Sequence, residues 1–367
     1  MPARAVLVVG FLYLFLVGVS LLEDGIAGLG DGFQEGLLSS VANPVSGLFA
    51  GILFTVLVQS SSVSTATIVG LVGSGTLSVE LAVPMIMGAN IGTTITNTLA
   101  SLGAIRRSDE FRRGFAAATM HDFFNLMAVA VLLPLELLTG VLSTVAVELT
   151  ELLRGTGGVS EIGTSPVKAA VDVPVDAIAS LLDGDPIGGR AAAIAFLVLG
   201  LAFIFLALSQ ITRNMRQLVA GSVERAMNRI VGRGGGTIGI LVGLAVTVAV
   251  QSSTITTSIL VPMVAAGVLT VGNAYPITLG ANIGTTITAL LASLAVLRPE
   301  GLTIALVHVL FNITAIGLLY PLPQVRDVPV RTALRLADLA VRHRTVVIAY
   351  IVGLFLVVPL AGIFLIP

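Results

Sequence analysis

The sequence predicts an all-α, polytopic membrane protein with two inverted repeats, each containing a re-entrant helical hairpin and a broken transmembrane helix. Three observations carry this. Of 367 residues, 56% are hydrophobic and 11% charged, with a mean hydropathy of +1.04, whereas a soluble domain has about 25% charged residues. Shifted by 192 positions, the chain matches itself: residues 58–106 and 250–298 are identical at 26 of 49 positions. Finally, "VQSSS" at 58–62 and "VQSST" at 250–254 interrupt apolar stretches whose separate arms are too short to span a bilayer.

The spanning elements come first. Residues 5–22, 115–138, 190–208 and 346–366 are apolar over about the 20 residues a crossing needs. The first could be a signal peptide, but the acidic "EDG" at 23–25 follows it where a small-residue cleavage site would stand. It is read as a retained helix. Arginine placement then orients the chain. Residues 106–113 are basic, 213–233 hold five Arg against one Glu, and 325–344 hold five Arg against two Asp. Residues 22–35 carry four acids and no base, and 151–185 are mostly acidic. The basic stretches are expected in the cytoplasm and the acidic ones outside.

Element order follows from that assignment. A first repeat covers 1–150, with a hairpin at about 45–77 entering from outside and a helix over 79–105 returning inward. An extracellular linker of loose structure covers 151–188, where Pro, Gly and Asp recur. A second repeat covers 189–322 and begins on the opposite face, with a hairpin at about 237–269 and helices over 271–297 and 302–322. Residues 323–367 form a cytoplasmic segment and a last helix, which puts the C-terminus outside. Residues 213–233, with arginines flanking Leu218, Val219 and Val223, fit an amphipathic surface helix. "FRRGF" at 111–115 is expected at the headgroup level, and Asp122 near the interface.

The repeated polar residues carry the chemistry. A polar turn between two short apolar arms fits a hairpin lining a cavity, or one kinked helix whose hydroxyls bond their own backbone. The matched recurrence favours the hairpin. "GANIGTTIT" occurs at 88–96 and 280–288 inside apolar segments, after Pro84 and Pro276. Gly and Pro there favour a broken helix with free backbone groups, while close packing through small residues explains Gly88 and Gly92 but not Asn90, Thr93 and Thr94.

Charge narrows the function. No Lys or Arg lies between Arg4 and Arg106, and no charged residue lies between Arg233 and Arg298. Hydroxyls and amides near helix N-termini suit a small oxyanion. Oxygen ligands without sulfur or imidazole suit hard cations such as sodium. A buried anion without Arg or Lys is costly, so co-bound cations are the simplest countercharge. Cation-coupled anion symport fits better than a channel, and proton coupling fits less well because neither core is expected to hold a buried carboxylate or His. His121 and Asn125, like His308 and Asn312, are four apart on one helix face and fit helix-packing hydrogen bonds. The net charge of −1 argues against nucleic acid, and the absence of Cys excludes thiol catalysis and disulfides. No nucleophile–base pair lies in the repeat cores, so an enzyme is not expected and no organic cofactor is implied. A structural scaffold is a weaker reading of the duplication.

"VQSSS", "GANIGTTITNT", "FRRGFAAATMHDFFN" and "VLLPLE" in the first half, with "VQSST", "AYPITLGANIGTT" and "HVLFNITAIGLLYPLP" in the second, closely resemble the type II sodium-dependent phosphate cotransporter family. The likeness runs from about residue 11 to 366. It implies sodium-driven uptake of inorganic phosphate across the cell membrane, with the two hairpins meeting at one central site. Carried over by motif, Gln59, Ser60, Ser61, Ser62, Gln251, Ser252, Ser253 and Thr254 would bind phosphate. Sodium would be held by Gln59, Ser62, Thr65, Asn90, Thr93 and Thr94, and by Gln251, Ser253, Thr257, Asn282, Thr285 and Thr286. Electrogenic members carry an acidic residue near the position of Arg107, so electroneutral transport is expected. The short, Cys-free external loop points to a bacterial inner membrane, and nothing in the sequence opposes a homodimer. Another oxyanion such as arsenate or sulfate, or a passive anion channel, remains the alternative.

Overall fold

The structure, a computed structural model, describes residues 2–30, 43–155, 166–182, 189–230, 236–296 and 298–365. Among them every regular element is helical. Six stretches are long and apolar enough to cross a membrane: Val6–Gly28, Val79–Ala104, Ser108–Thr139, Gly189–Asn214, Pro299–Leu319 and Thr345–Phe364. Four shorter apolar helices stand beside them: α2 (Pro44–Val58), α3 (Ser61–Gly73), α10 (Gly236–Val250) and α11 (Ser253–Ala265).

The other elements of the first half are α1 (Pro2–Gly28), α4 (Val79–Gly92), α5 (Ile95–Ser101), α6 (Ser108–Thr139) and α7 (Val141–Gly155). Then come α8 (Pro166–Leu182), α9 (Gly189–Ile230), α12 (Val271–Ser293) and α13 (Pro299–Leu319). The chain closes with α14 (Pro323–Arg326), α15 (Val328–Arg342), α16 (Thr345–Val352), one π turn over Gly353–Val357 and α17 (Val358–Leu365). Local sequence sets the starts. Asn43 accepts from the Val45 and Ser46 amides at 2.9 and 2.8 Å, and Pro44 takes the first position of α2, where no N–H is needed. Ser60, Ser78, Ser252 and Thr270 cap α3, α4, α11 and α12 in the same way.

Packing repeats along with the sequence. Within each half, the first short helix lies against the glycine-rich helix, α2 on α4 and α10 on α12. A Cβ on Gly88 would sit 2.0 Å from the Leu48 carbonyl oxygen, and one on Gly280 would sit 1.9 Å from that of Ile240. Small residues thus let the backbones touch, as they do between packed membrane helices. The second short helix behaves differently. α3 packs on α12 and α13 of the second half, while α11 packs on α5 and α6 of the first. α1 and α9 pair closely through Gly18, Gly25 and Gly200.

Several expectations are corrected. The helix carrying the second "GANIGTTIT" is continuous from Val271 to Ser293, whereas the first is interrupted at Thr93–Thr94, where the Thr94 amide reaches only Ile91, at 3.5 Å. Gly and Pro alone therefore do not break the second, since Pro276, Gly280 and Gly284 all lie within the unbroken helix. The linker is not loose throughout. α7 enters it, and α8 buries Val171 and Val175 as it packs on α1, where Tyr13 donates to the Ala170 carbonyl at 2.7 Å. Residues 156–165 and 183–188 of that linker lie outside the described residues, as do 231–233. Residues 213–230 continue α9 rather than forming a separate surface helix. Phe111 and Phe115 are buried and stacked 5.2 Å apart, and Arg112 pairs with Asp338 on α15.

Two outcomes follow from this packing. Gly88→Ala and Gly280→Ala should each cost about 1–3 kcal/mol through overpacking, seen as lower melting temperatures in detergent. Gly103→Ala, with no atom within 4 Å of the new Cβ, should melt like the parent. Arg112 holds the Asp338 carboxyl below the ordinary carboxylate range. A depressed folded value stabilises at neutral pH and is lost as pH falls through it. The melting difference between parent and Asp338→Asn should therefore shrink below about pH 4.

Candidate functional site

The predicted glutamines mark the sharpest feature of the backbone. Gln59 and Gln251 have φ of 57° and 56°, and among the described residues they are the only non-glycines with positive φ. Such a conformation is uncommon outside glycine and needs outside support. Each half supplies the same supports. The backbone amides of Gln59 and Gln251 donate to Thr55 and Thr247 at 2.8 and 2.7 Å. The Nε2 groups donate to the Val56 and Val248 carbonyls at 2.5 and 2.7 Å. The Oε1 atoms accept from Thr96 at 3.0 Å and from Thr288 at 3.4 Å.

Directly beyond each glutamine a helix begins, so unpaired N–H groups and the positive end of a helix dipole meet at the turn. Ser60 and Ser252 spend their side-chain oxygens on the Val63 and Ile255 amides, each at 3.3 Å. The hydroxyls of Ser61, Ser62, Ser253 and Thr254 donate to no protein acceptor among the described residues. Ser61, Ser62 and Ser253 are buried; Ser60, Ser252 and Thr254 are half-buried. Free donors around a helix N-terminus can hold an oxyanion. No hydrogen bond joins the two turns among the described residues; each sits beside its own half's threonine.

The remaining predicted residues fall into two groups. Thr65, Thr93, Thr94, Thr257, Thr285 and Thr286 donate to nearby carbonyls of their own helices at 2.7–3.3 Å. Their hydroxyl oxygens keep lone pairs that could face a cation, although Thr257 already accepts from Asn97. Asn90 and Asn282 are committed elsewhere. Asn282 donates to Asn125 Oδ1 at 2.8 Å and meets His121 Nε2 at 2.5 Å, while Asn90 accepts from Asn125 through its backbone at 2.7 Å and from Asn312 through its side chain at 3.4 Å. All five side chains are buried. His121, Asn125 and Asn312 make helix-packing hydrogen bonds as expected, three of which cross between the halves; the His308 ring is buried, but its Nδ1 meets no partner among the described residues.

Three contributors escaped the sequence reading. Asn97 is buried, donates to Thr257 at 2.6 Å and accepts from Ser258 at 3.2 Å, so it ties α5 to α11. Its repeat counterpart is Ala289, and repeat logic passed over it. Thr96 and Thr288 close the repeated nonapeptide and could have been read from it. Asp122 is corrected from the interface to the interior: it is 0% exposed and accepts from the Tyr350 hydroxyl at 2.5 Å. It lies 14 positions into α6, about 21 Å along the axis. A carboxylate and two buried imidazoles, His121 and His308, therefore do stand beside the repeat cores.

Six helices long and apolar enough to span a bilayer, with paired polar turns beside them, define a polytopic helical membrane protein. The comparisons make this specific: the Na+/Pi-cotransporter family model matches residues 14–157 and 203–327, and the chain belongs to that family. The sodium-dependent phosphate transport protein 2A of Rattus norvegicus is 35% identical over 96% of this chain and 66% of its own length. Protein 2B of Homo sapiens is 33% identical over 97% of this chain and 64% of its own length. The chain thus spans just under two thirds of these relatives, which are transport proteins and not enzymes. No solved structure matches it.

The crossed network makes a measurable claim. His121→Ala and Asn282→Ala should be non-additive by about 0.5–3 kcal/mol in a double-mutant cycle, whereas Asn282→Ala and His343→Ala should add. Melting of the single and double variants in detergent reads both cycles.

Proposed function

We propose that this protein is a secondary active symporter that couples the sodium gradient to uptake of inorganic phosphate. The observation that carries the reading is the pair of matched glutamine turns, each opening a helix whose first hydroxyls are unspent. Family membership supports it, as do relatives whose names specify sodium-dependent phosphate transport.

On this reading α2–α3 and α10–α11 are re-entrant hairpins of two inverted repeats, 1–150 and 189–322, separated by the 151–188 linker. Gln59, Ser60, Ser61 and Ser62, with Gln251, Ser252, Ser253 and Thr254, bind phosphate through hydroxyls and helix N-terminal amides. Sodium is held by oxygens of Gln59, Ser62, Thr65, Thr93 and Thr94 and of Gln251, Ser253, Thr257, Thr285 and Thr286. Asn90 and Asn282, also expected as sodium ligands, orient these helices through the crossed network. Asp122 adds a carboxylate at membrane depth, where an ionisable group marks an ion pathway more often than packing. Sodium then supplies the positive charge that the repeat cores lack. The halves rock about the site, exposing it to either side in turn.

Radiolabelled phosphate uptake into proteoliposomes tests the proposal. Inward sodium should drive accumulation, while sodium on both sides or potassium alone should give almost none. Equal uptake in all three conditions would indicate a passive anion channel. Competition by arsenate or sulfate at equal concentration identifies a different oxyanion. Gln59→Ala and Gln251→Ala should each abolish coupled uptake, and Asp122→Asn should weaken its dependence on sodium. Parent rates in either glutamine variant would remove the turns from the site.

A further inference from the structure

Helix α15 carries two unlike faces. Pro329, Ala333, Ala337 and Ala340 are buried and recur at helical spacing, and this small-residue face seats the helix on α6. The other face exposes Val328, Arg331, Arg335, Leu339 and Arg342, which also recur every three or four residues. Arginines interleaved with exposed aliphatic side chains suit the boundary between headgroups and hydrocarbon, where guanidinium groups reach outward along apolar surface.

Position and charge point the same way. The span Thr345–Phe364 begins three residues after α15 ends, which places the helix at a membrane boundary. Arg344 holds the junction by donating to Ser108 Oγ at 3.3 Å and lying 4.7 Å over the Phe111 ring. The two acids of this segment are already paired, Asp338 with Arg112 and Asp327 with Arg326. Arg331 gives its Nε and Nη2 to the backbone carbonyls of Asp327 and Gln324, which leaves its Nη1 without a protein acceptor among the described residues. Among the described residues, Arg335 and Arg342 form no ion pair with a carboxylate within 4 Å. The exposed face therefore keeps a cation surplus after its neighbours are satisfied.

We propose that the Arg331–Arg335–Arg342 face of α15 binds the phosphate headgroups of anionic phospholipids in the leaflet on the arginine-rich side. Planar guanidinium forks match phosphate oxygens in pairs. Each basic residue near an anionic surface contributes about a fivefold gain in affinity. This face is separate from the glutamine turns and does not depend on the transport reading.

The test is native mass spectrometry of the purified full chain in detergent, titrated with phosphatidylglycerol or with phosphatidylcholine. The parent should bind phosphatidylglycerol preferentially, and Arg331→Gln/Arg335→Gln/Arg342→Gln should lose the preference, by about fivefold per arginine. Phosphatidylcholine adducts should not change. Inorganic phosphate at matched concentration should leave lipid binding intact, since a headgroup and not a free anion is the ligand. Equal binding of both lipids by the parent would overturn the proposal, as would an undiminished preference in the triple variant. If the triple variant does not fold, Arg335→Gln and Arg342→Gln tested singly decide the matter in the same way, because neither side chain bridges another element.

Discussion

Backbone hydrogen bonding in an apolar surround constrains everything else in this molecule. A chain in hydrocarbon must satisfy its amides and carbonyls internally, and a turn at that depth survives only where side chains stand in for the missing partners. On the proposed reading Gln59 and Gln251 are such side chains: one end of each amide closes the helix behind it, and the other accepts from Thr96 or Thr288. The strained left-handed backbone at both glutamines is held by these bonds. The free helix N-termini that follow are a consequence of the same break. On the proposed reading, the device that permits the turn also creates the binding surface.

The halves are joined through the second short helix of each. α3 and α11 keep contact with their own halves and also pack against the other, and the buried Asn–His network crosses in the same sense. Unpaired buried amides would be costly in this environment. The network therefore restricts how the halves can sit against each other. It is not fully symmetric: His121 meets Asn282, the Thr93–Thr94 interruption has no counterpart in α12, and Asn97 faces Thr257 while its counterpart is Ala289. Duplicated sequence has settled into two unequal environments.

Much of the architecture was legible in advance. Apolar length located the spanning segments but not all their ends, since α6 begins at Ser108 rather than 115 and α1 runs to Gly28 rather than 22; burying about 20 residues sets a minimum length and leaves the ends free. Internal repetition located the glutamine turns. Misreadings arose where long-range contacts decide. The glycines and prolines of the second "GANIGTTIT" suggested a break, yet Gly280 packs against the Ile240 carbonyl within an unbroken helix. Asp122 looked interfacial from nearby arginines, while α6 carries it inward to meet Tyr350, 228 residues away. The 166–182 stretch looked loose from its composition, but α1 offers Val171 and Val175 a surface.

Composition, repetition and charge placement were sufficient to specify a helical membrane protein with two matched polar turns, since these depend on solvent and on local periodicity. Tertiary structure alone decided which polar groups meet. The pairing of Asn282 with Asn125 and His121, the burial of Asp122, and the seating of α15 on α6 all join residues far apart in sequence. Hydrogen bonds need atoms within about 3 Å, and no local pattern encodes which distant atoms arrive there.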